Sequence, residues 1–261
     1  DGTDTATLSA ANYLLTGWVG SDGATVTKTS GTYNTSSIGT GKTVTVSLTN
    51  ADYTATGATN LGNYALPTNI TGNVGTITPK ALSVTAPTVN KEYDGTLSAT
   101  GAATVGALGT GDSVNVAATL SFTDKNVGTS KRVQASGLTI KDASNADMTG
   151  NYAITYVDNT ASVITAKALT VTGASGVNKT YDTTNAATFT GILSGVIAAD
   201  VANVTLTPSG TFAQTGVGTN LAVTALGVLG GTASGNYTLI QPVGLTAAIN
   251  AATPVLTGLS N

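Results

Sequence analysis

Short apolar residues alternate with threonine and serine along most of this 261-residue chain. Thr43-Val44-Thr45-Val46-Ser47-Leu48 places Val44, Val46 and Leu48 on one face at a period of two, the signature of a half-buried strand. Val114-Asn115-Val116, Ala153-Ile154-Thr155-Tyr156-Val157, Val204-Thr205-Leu206 and Leu221-Ala222-Val223 read the same way. Clusters of Gly, Asn, Asp and Ser separate these runs every 8 to 12 residues or so, a spacing typical of all-β sandwiches. Helical periodicity is weak: one short turn is expected, around Ile192 to Ala199. The longest apolar runs, Ile192 to Val201 and Leu221 to Leu229, are broken well short of the roughly 18 residues a spanning helix needs, so membrane insertion is not expected.

The pattern repeats. Asn63-Tyr64, Asn151-Tyr152 and Asn236-Tyr237 lie 88 and 85 residues apart. Each leads into a strand-like stretch ending at Ile77-Thr78-Pro79-Lys80, Ile164-Thr165-Ala166-Lys167 or Ile249-Asn250-Ala251-Ala252. Ala81-Leu82-Ser83-Val84-Thr85 and Ala168-Leu169-Thr170-Val171-Thr172 follow the first two. Tyr93-Asp94-Gly95-Thr96 and Tyr181-Asp182-Thr183-Thr184 are a further pair, and Asp1-Gly2-Thr3 is the same motif without its tyrosine. Three more anchors keep their order: acidic turn residues Asp22, Asp112 and Asp200; aromatic strand ends Tyr33, Phe122 and Phe212; and hydrophobic-Gly-Thr turns at Gly39, Gly128 and Gly218.

A period of 85 to 90 residues suits one small sandwich per unit rather than the short rungs of a β-helix. The expected architecture is all-β: about three tandem Ig-like β-sandwich repeats at 1–80, 81–167 and 168–252, with 253–261 starting a following repeat or linking strand. The junction Ile77 to Thr85 holds one proline and no glycine. It reads as a continuous extended segment, Pro79 restraining Thr78, and implies a semi-rigid rod.

Composition narrows the chemistry. The chain has no His and no Cys, which excludes Ser-His-Asp and Cys-His nucleophiles, Cys/His zinc sites and disulfides. Charged residues make up 9% against about 25% in ordinary globular proteins; threonine, about one residue in five, takes their place. Net charge is −3 with ten Lys and Arg, which argues against nucleic acid as a partner. The start at Asp1, without a basic leader, reads as a mature or excised piece of something longer.

Candidate sites have structural explanations. In Tyr93-Asp94-Gly95 and Tyr181-Asp182, aspartate caps its own backbone, Gly95 supplies a positive φ and tyrosine anchors the turn. The tyrosines of Asn63-Tyr64, Asn151-Tyr152 and Asn236-Tyr237 read as corner devices, buried with the hydroxyl on a backbone acceptor. Asp142, Asn145 and Asp147 are weak calcium candidates lacking EF-hand spacing. Five Asn-x-Ser/Thr sequons are no more than abundant threonine supplies by chance. A Lys–Asn isopeptide is not general, because the third repeat has no Lys or Arg after Lys179. Trp18, the sole tryptophan, is the one candidate for contact with a ligand. No cofactor is expected.

The ordered set Tyr93-Asp94-Gly95-Thr96, Val127-Gly128-Thr129, Asn151-Tyr152 and Ile77-Thr78-Pro79-Lys80-Ala81-Leu82 resembles the YDG-type repeat, akin to MBG modules, of filamentous-haemagglutinin-like bacterial exoproteins exported by two-partner secretion. The resemblance implies an extracellular, non-enzymatic segment of an adhesin shaft or biofilm-matrix filament. Its expected partners are other copies or repeats of itself, continued by strand addition or by the covalent next repeat. The alternative is an adhesin module that binds cell-surface glycan or matrix.

Overall fold

The structure, a computed structural model, describes residues 2–258. It is nearly all β, with 49% strand and 8% helix, the latter confined to short 3-10 turns. No helix among the described residues is long and apolar enough to cross a membrane. The chain divides into two compact units, Asp1–Ala86 with Ala102–Thr119 and Ala135–Val157, and Pro87–Gly101 with Leu120–Gln134 and Asp158–Asn261. The second repeat thus contributes segments to both.

In the first unit, an antiparallel sheet runs in the order Thr5–Thr7, Ser30–Tyr33, Gly39–Ser47, Asn69–Ile77, and a second sheet pairs Gly23–Val26 with Tyr53–Thr56. Their inward faces meet in a core of Ala6, Val26, Val44, Val46, Leu48 and Tyr53. Alternation decides this, since Val44 and Val46 point in while Thr45 stays partly exposed. The same unit holds a three-stranded sheet in which Lys80–Thr85 is central, parallel to Tyr152–Val157 and antiparallel to Thr104–Val105.

In the second unit, Lys167–Gly176 is the central strand between Phe189–Ser194, antiparallel, and Tyr237–Leu239, parallel. A five-stranded sheet runs Lys179–Thr180, Leu245–Asn250, Gly218–Ala225, Gly210–Phe212, Ala186–Ala187. Phe189, Phe212, Val223, Ala225, Leu245, Ala247 and Ile249 fill the core of this repeat.

The structure departs from the sequence pattern in three places. The junction expected as one extended segment is two strands, Asn69–Ile77 and Lys80–Thr85, broken at Thr78-Pro79 because proline offers no ladder N–H. Ala166 marks the same break between Asn159–Thr165 and Lys167–Gly176. The helical turn expected around Ile192 to Ala199 lies later, at Ala198–Asn203, because Ile192 belongs to the strand Phe189–Ser194. Val114 and Val116 alternate as expected but are exposed; their partner strand Thr139–Lys141 buries Ile140 instead.

Phe189 is almost wholly enclosed. Phe189→Ala should cost about 3–5 kcal/mol of stability, read as a lower urea midpoint at unchanged slope. An unchanged midpoint would mean that this core does not hold the repeat together.

Candidate functional site: a tyrosine–aspartate joint

The three Asn-Tyr pairs each follow a 3-10 turn, Leu61–Asn63, Thr149–Asn151 and Ser234–Asn236. The turn delivers the tyrosine at the start of an extended stretch with its hydroxyl aimed at the acidic turn of its own repeat. Tyr237 Oη donates to Asp200 Oδ2 at 2.7 Å and accepts from the Ile197 amide at 3.2 Å. Tyr152 Oη does the same with Asp112 Oδ2 and the Gly109 amide, and Tyr64 Oη with Asp22 Oδ2 and the Val19 amide. In all three the amide belongs to the residue three before the aspartate. The expected backbone acceptor is therefore replaced by a carboxylate, with the backbone as donor. Tyr152 and Tyr237 are buried and Tyr64 is half-buried.

The second and third joints reach into the preceding repeat. Tyr93, from the Tyr-Asp-Gly motif of the second repeat, donates its hydroxyl to the same Asp200 Oδ2 at 2.8 Å, and its ring meets Tyr237 edge-on at 5.4 Å. Asn236 Oδ1 accepts from the Val127 amide at 2.9 Å, and its Nδ2 donates to Asn126 Oδ1. Asn151 Oδ1 likewise accepts from the Ile38 amide at 3.1 Å. The asparagine thus grips the hydrophobic-Gly-Thr turn of the repeat before it. Gly2 sits so close to Thr110 that a Cβ there would lie 2.7 Å from its carbonyl oxygen. Asp1 lies outside the described residues.

Asp200 is 5% exposed and has no cation beside it, so its charge rests on the two phenols. Burial, and then the hydrogen bond to this carboxylate, push the hydroxyls of Tyr93 and Tyr237 up to about 12. Burial and then Asp112 raise Tyr152.

The Tyr-Asp-Gly turn is built by a residue that the motif reading missed. Lys91 Nζ donates to Asp94 Oδ1 and to the carbonyls of Thr96 and Ser98, and lies 5.2 Å above the Phe122 ring. Lys179 repeats this with Asp182 Oδ1, the Thr184 carbonyl and the Phe212 ring. The Thr96 and Thr184 amides complete each turn on the same carboxylate oxygen. Lys179 and then the Thr184 amide hold the Asp182 carboxyl down at about 2. A lysine three residues before each aspartate was the available signal. Gly95 has φ +76° and Thr183 φ +71°, so the turn keeps its shape without glycine. Gly39, Gly128 and Gly218 open the strands Gly39–Ser47, Gly128–Ser136 and Gly218–Ala225.

The calcium candidates do not converge. Asp142 Oδ1 accepts from the Ser144 and Ala146 amides, Asp147 Oδ1 from the Thr149 amide, and Asn145 Oδ1 from Lys141. No group of three or more carboxylates able to hold a metal occurs among the described residues. Trp18 rests edge-on against Tyr64 at 4.7 Å, beside a groove of about 270 Å³.

A sequence model of the YDG domain matches the chain three times, at 1–71, 78–161 and 165–245. The chain belongs to the YDG domain family. No curated protein and no solved structure matches it. The joint described above recurs once in each YDG segment, and the segments follow one another in tandem.

The raised phenols of Tyr93 and Tyr237 ionise near pH 10 in an unfolded chain. The stability they contribute is full below pH 10 and drains as pH climbs through 12. Absorbance titration of the folded protein should show two of its nine tyrosines ionising last, one of them lost in Tyr93→Phe. Tyr237→Phe, which strands the Ile197 amide, should cost about 1–3 kcal/mol. All tyrosines ionising together near pH 10 in the folded state would count against the joint.

Proposed function

We propose that the chain is a non-enzymatic structural segment of an extracellular bacterial fibre, an adhesin shaft or biofilm-matrix filament of the filamentous-haemagglutinin-like, two-partner-secreted kind. The observation that carries this reading is the serial joint. Each repeat after the first lends an asparagine to the turn of the one before it, and at Asp200 tyrosines from two successive repeats share one carboxylate. An arrangement that spends its recurrent polar side chains on holding neighbours supports a mechanical role more than a catalytic one. Low charge and the absence of cysteine fit a surface-exposed polymer, and few like charges oppose its continuation by strand addition.

The glycan-binding alternative would place its ligand at Trp18. The adjoining groove is lined largely by Leu14, Leu15, Leu66 and Pro67, aliphatic walls that offer a sugar few polar partners.

Immunogold electron microscopy of the native source with antibodies to the folded chain tests the reading. Periodic label along surface or released filaments is the expected outcome. Label confined to the cell interior, or to unassembled particles, would refute it.

A further inference from the structure

In the second and third repeats one strand fills the middle of a three-stranded sheet. Lys80–Thr85 runs parallel to Tyr152–Val157, with Tyr152 opposite Lys80, and antiparallel to Thr104–Val105, with Val84 opposite Val105. Lys167–Gly176 runs parallel to Tyr237–Leu239, with Tyr237 opposite Lys167, and antiparallel to Phe189–Ser194, with Val171 opposite Leu193. Its inward side chains are fully covered: Leu82, Val84 and Leu169 are buried.

The first repeat has both flanks and no middle. Tyr64–Pro67 follows Asn63 as Tyr152 follows Asn151. Leu14–Thr16 precedes Asp22 by the interval that separates Thr104–Gly106 from Asp112 and Ile192–Ser194 from Asp200. Neither flank is paired in a sheet among the described residues. Between them lies the 270 Å³ groove, lined by Leu14, Leu15, Trp18, Tyr64, Leu66 and Pro67 among others, and Leu14 is 85% exposed.

The strand that would fit is present elsewhere in the chain. Ala252–Thr257 follows Ile249 as Lys80–Thr85 follows Ile77 and Lys167–Thr172 follows Ile164. It lies outside every sheet, with Val255 and Leu256 largely exposed. We propose that Ala252–Thr257 of a second copy of this chain enters the groove of the first repeat as its missing middle strand, joining copies head to tail. The proposal rests on the fibre reading and names its contact.

Both internal precedents dictate the same register. Ala252 lies opposite Tyr64, Thr253 opposite Ala65, and on the other side Leu256 lies opposite Leu15 and Thr257 opposite Leu14. Alternation then turns Pro254 and Leu256 inward, like Leu82 and Val84, and Val255 outward, like exposed Ser83. Pro254 takes the position of Leu169, whose carbonyl accepts from the Ile240 amide, so the docked strand has one ladder donor fewer. Main-chain pairing supplies most of the affinity in this mode, and the inward side chains set the register. Because donor and acceptor surfaces differ, the contact is heterologous and propagates unless the rotation closes a ring.

A second observation points the same way. Tyr93, with a repeat after it, is 1% exposed; its counterpart Tyr181 is 41% exposed, and Val217, counterpart of Val127, is 54% exposed. Strand exchange in the internal register brings Tyr181 of the donor copy to Asp22 and Tyr64 of the acceptor, and the donor's Val217 amide to the acceptor's Asn63. That rebuilds the joint seen at Asp200.

The natural chain has no cysteine, so pairing can be read directly. Ala65→Cys with Thr253→Cys should give a ladder of dimers, trimers and higher species on non-reducing gels after mild oxidation, where either single variant stops at dimers. Sedimentation should show concentration-dependent oligomers, with Trp18 fluorescence shifting as they form. Leu256→Asp should weaken assembly by at least about tenfold, since it buries an unpaired carboxylate, while Val255→Asp assembles like the natural chain. A protein that stays monomeric at every concentration and forms no ladder overturns the proposal, as does equal assembly of the Leu256 and Val255 variants. Labelled filaments in the source material together with no ladder would sink strand exchange and leave the fibre reading intact.

Discussion

A carboxylate removed from water has to be surrounded by donors, and at Asp200 the side-chain donors are phenols from two successive repeats. With no cation nearby, the charge is tolerable only while Tyr93 and Tyr237 are both in place. That makes one buried ion a register mark between repeats, because a small rotation of either side would lengthen a charge-assisted bond. Asp112 and Asp22 occupy the same station in their own repeats, each with one phenol and one backbone amide closing the arrangement. The more of the preceding repeat is present, the deeper the carboxylate lies. The asparagine grip on the preceding turn acts in parallel, using both halves of the Asn236 amide at once.

Most of the architecture was legible in the sequence because a repeat reports its own period. Alternation located the strand around Val44 and Val46, and the aromatic residues Tyr33, Phe122 and Phe212 do end the strands Ser30–Tyr33, Thr119–Phe122 and Gly210–Phe212. The joint was legible only as a set of residue types. Asp22, Asp112 and Asp200 and the three Asn-Tyr pairs stood out, but they are about 40 residues apart within each repeat, and nothing local says that they meet. Lys91 and Lys179 escaped notice because a lysine near an aspartate usually signals only solvated charge. Here the lysine threads a turn and covers an aromatic ring. Val114 and Val116 show the opposite failure, where alternation gave the strand correctly and the buried face wrongly.

The sequence period and the compact units need not coincide, and the second repeat shows why. Each middle strand, Lys80–Thr85 or Lys167–Gly176, begins within three residues of the strand that ends the repeat before it. It then pairs in parallel with a strand some 70 residues later. Parallel pairing obliges the chain to leave the sheet and return, so one repeat is assembled from distant segments. Compactness can then gather Lys80–Thr85 with Tyr152–Val157 in one unit and Asn90–Glu92 with Asn159–Thr165 in the other.

The tripeptide that names the family divides its work unequally. Glycine is expendable, since Thr183 adopts φ +71° where Gly95 adopts +76°, a conformation costing a β-branched residue on the order of 1–3 kcal/mol. Such strain persists only where the surroundings over-determine the backbone. At Thr183 they do: Asp182 accepts from the Thr184 amide and hydroxyl and from Lys179, and Lys179 also holds the Thr184 carbonyl. The turn is therefore shaped by the aspartate–lysine pair, and tyrosine is the part directed outward to the next repeat. Glycine is demanded only where a neighbour presses on the backbone, as Thr110 does on Gly2. At Gly95 the nearest atom to an added Cβ is the Ile197 side chain at 3.4 Å, an ordinary contact, so the joint itself leaves room there for a side chain. The motif is better understood as a lysine-braced aspartate turn that aims a tyrosine than as a glycine turn.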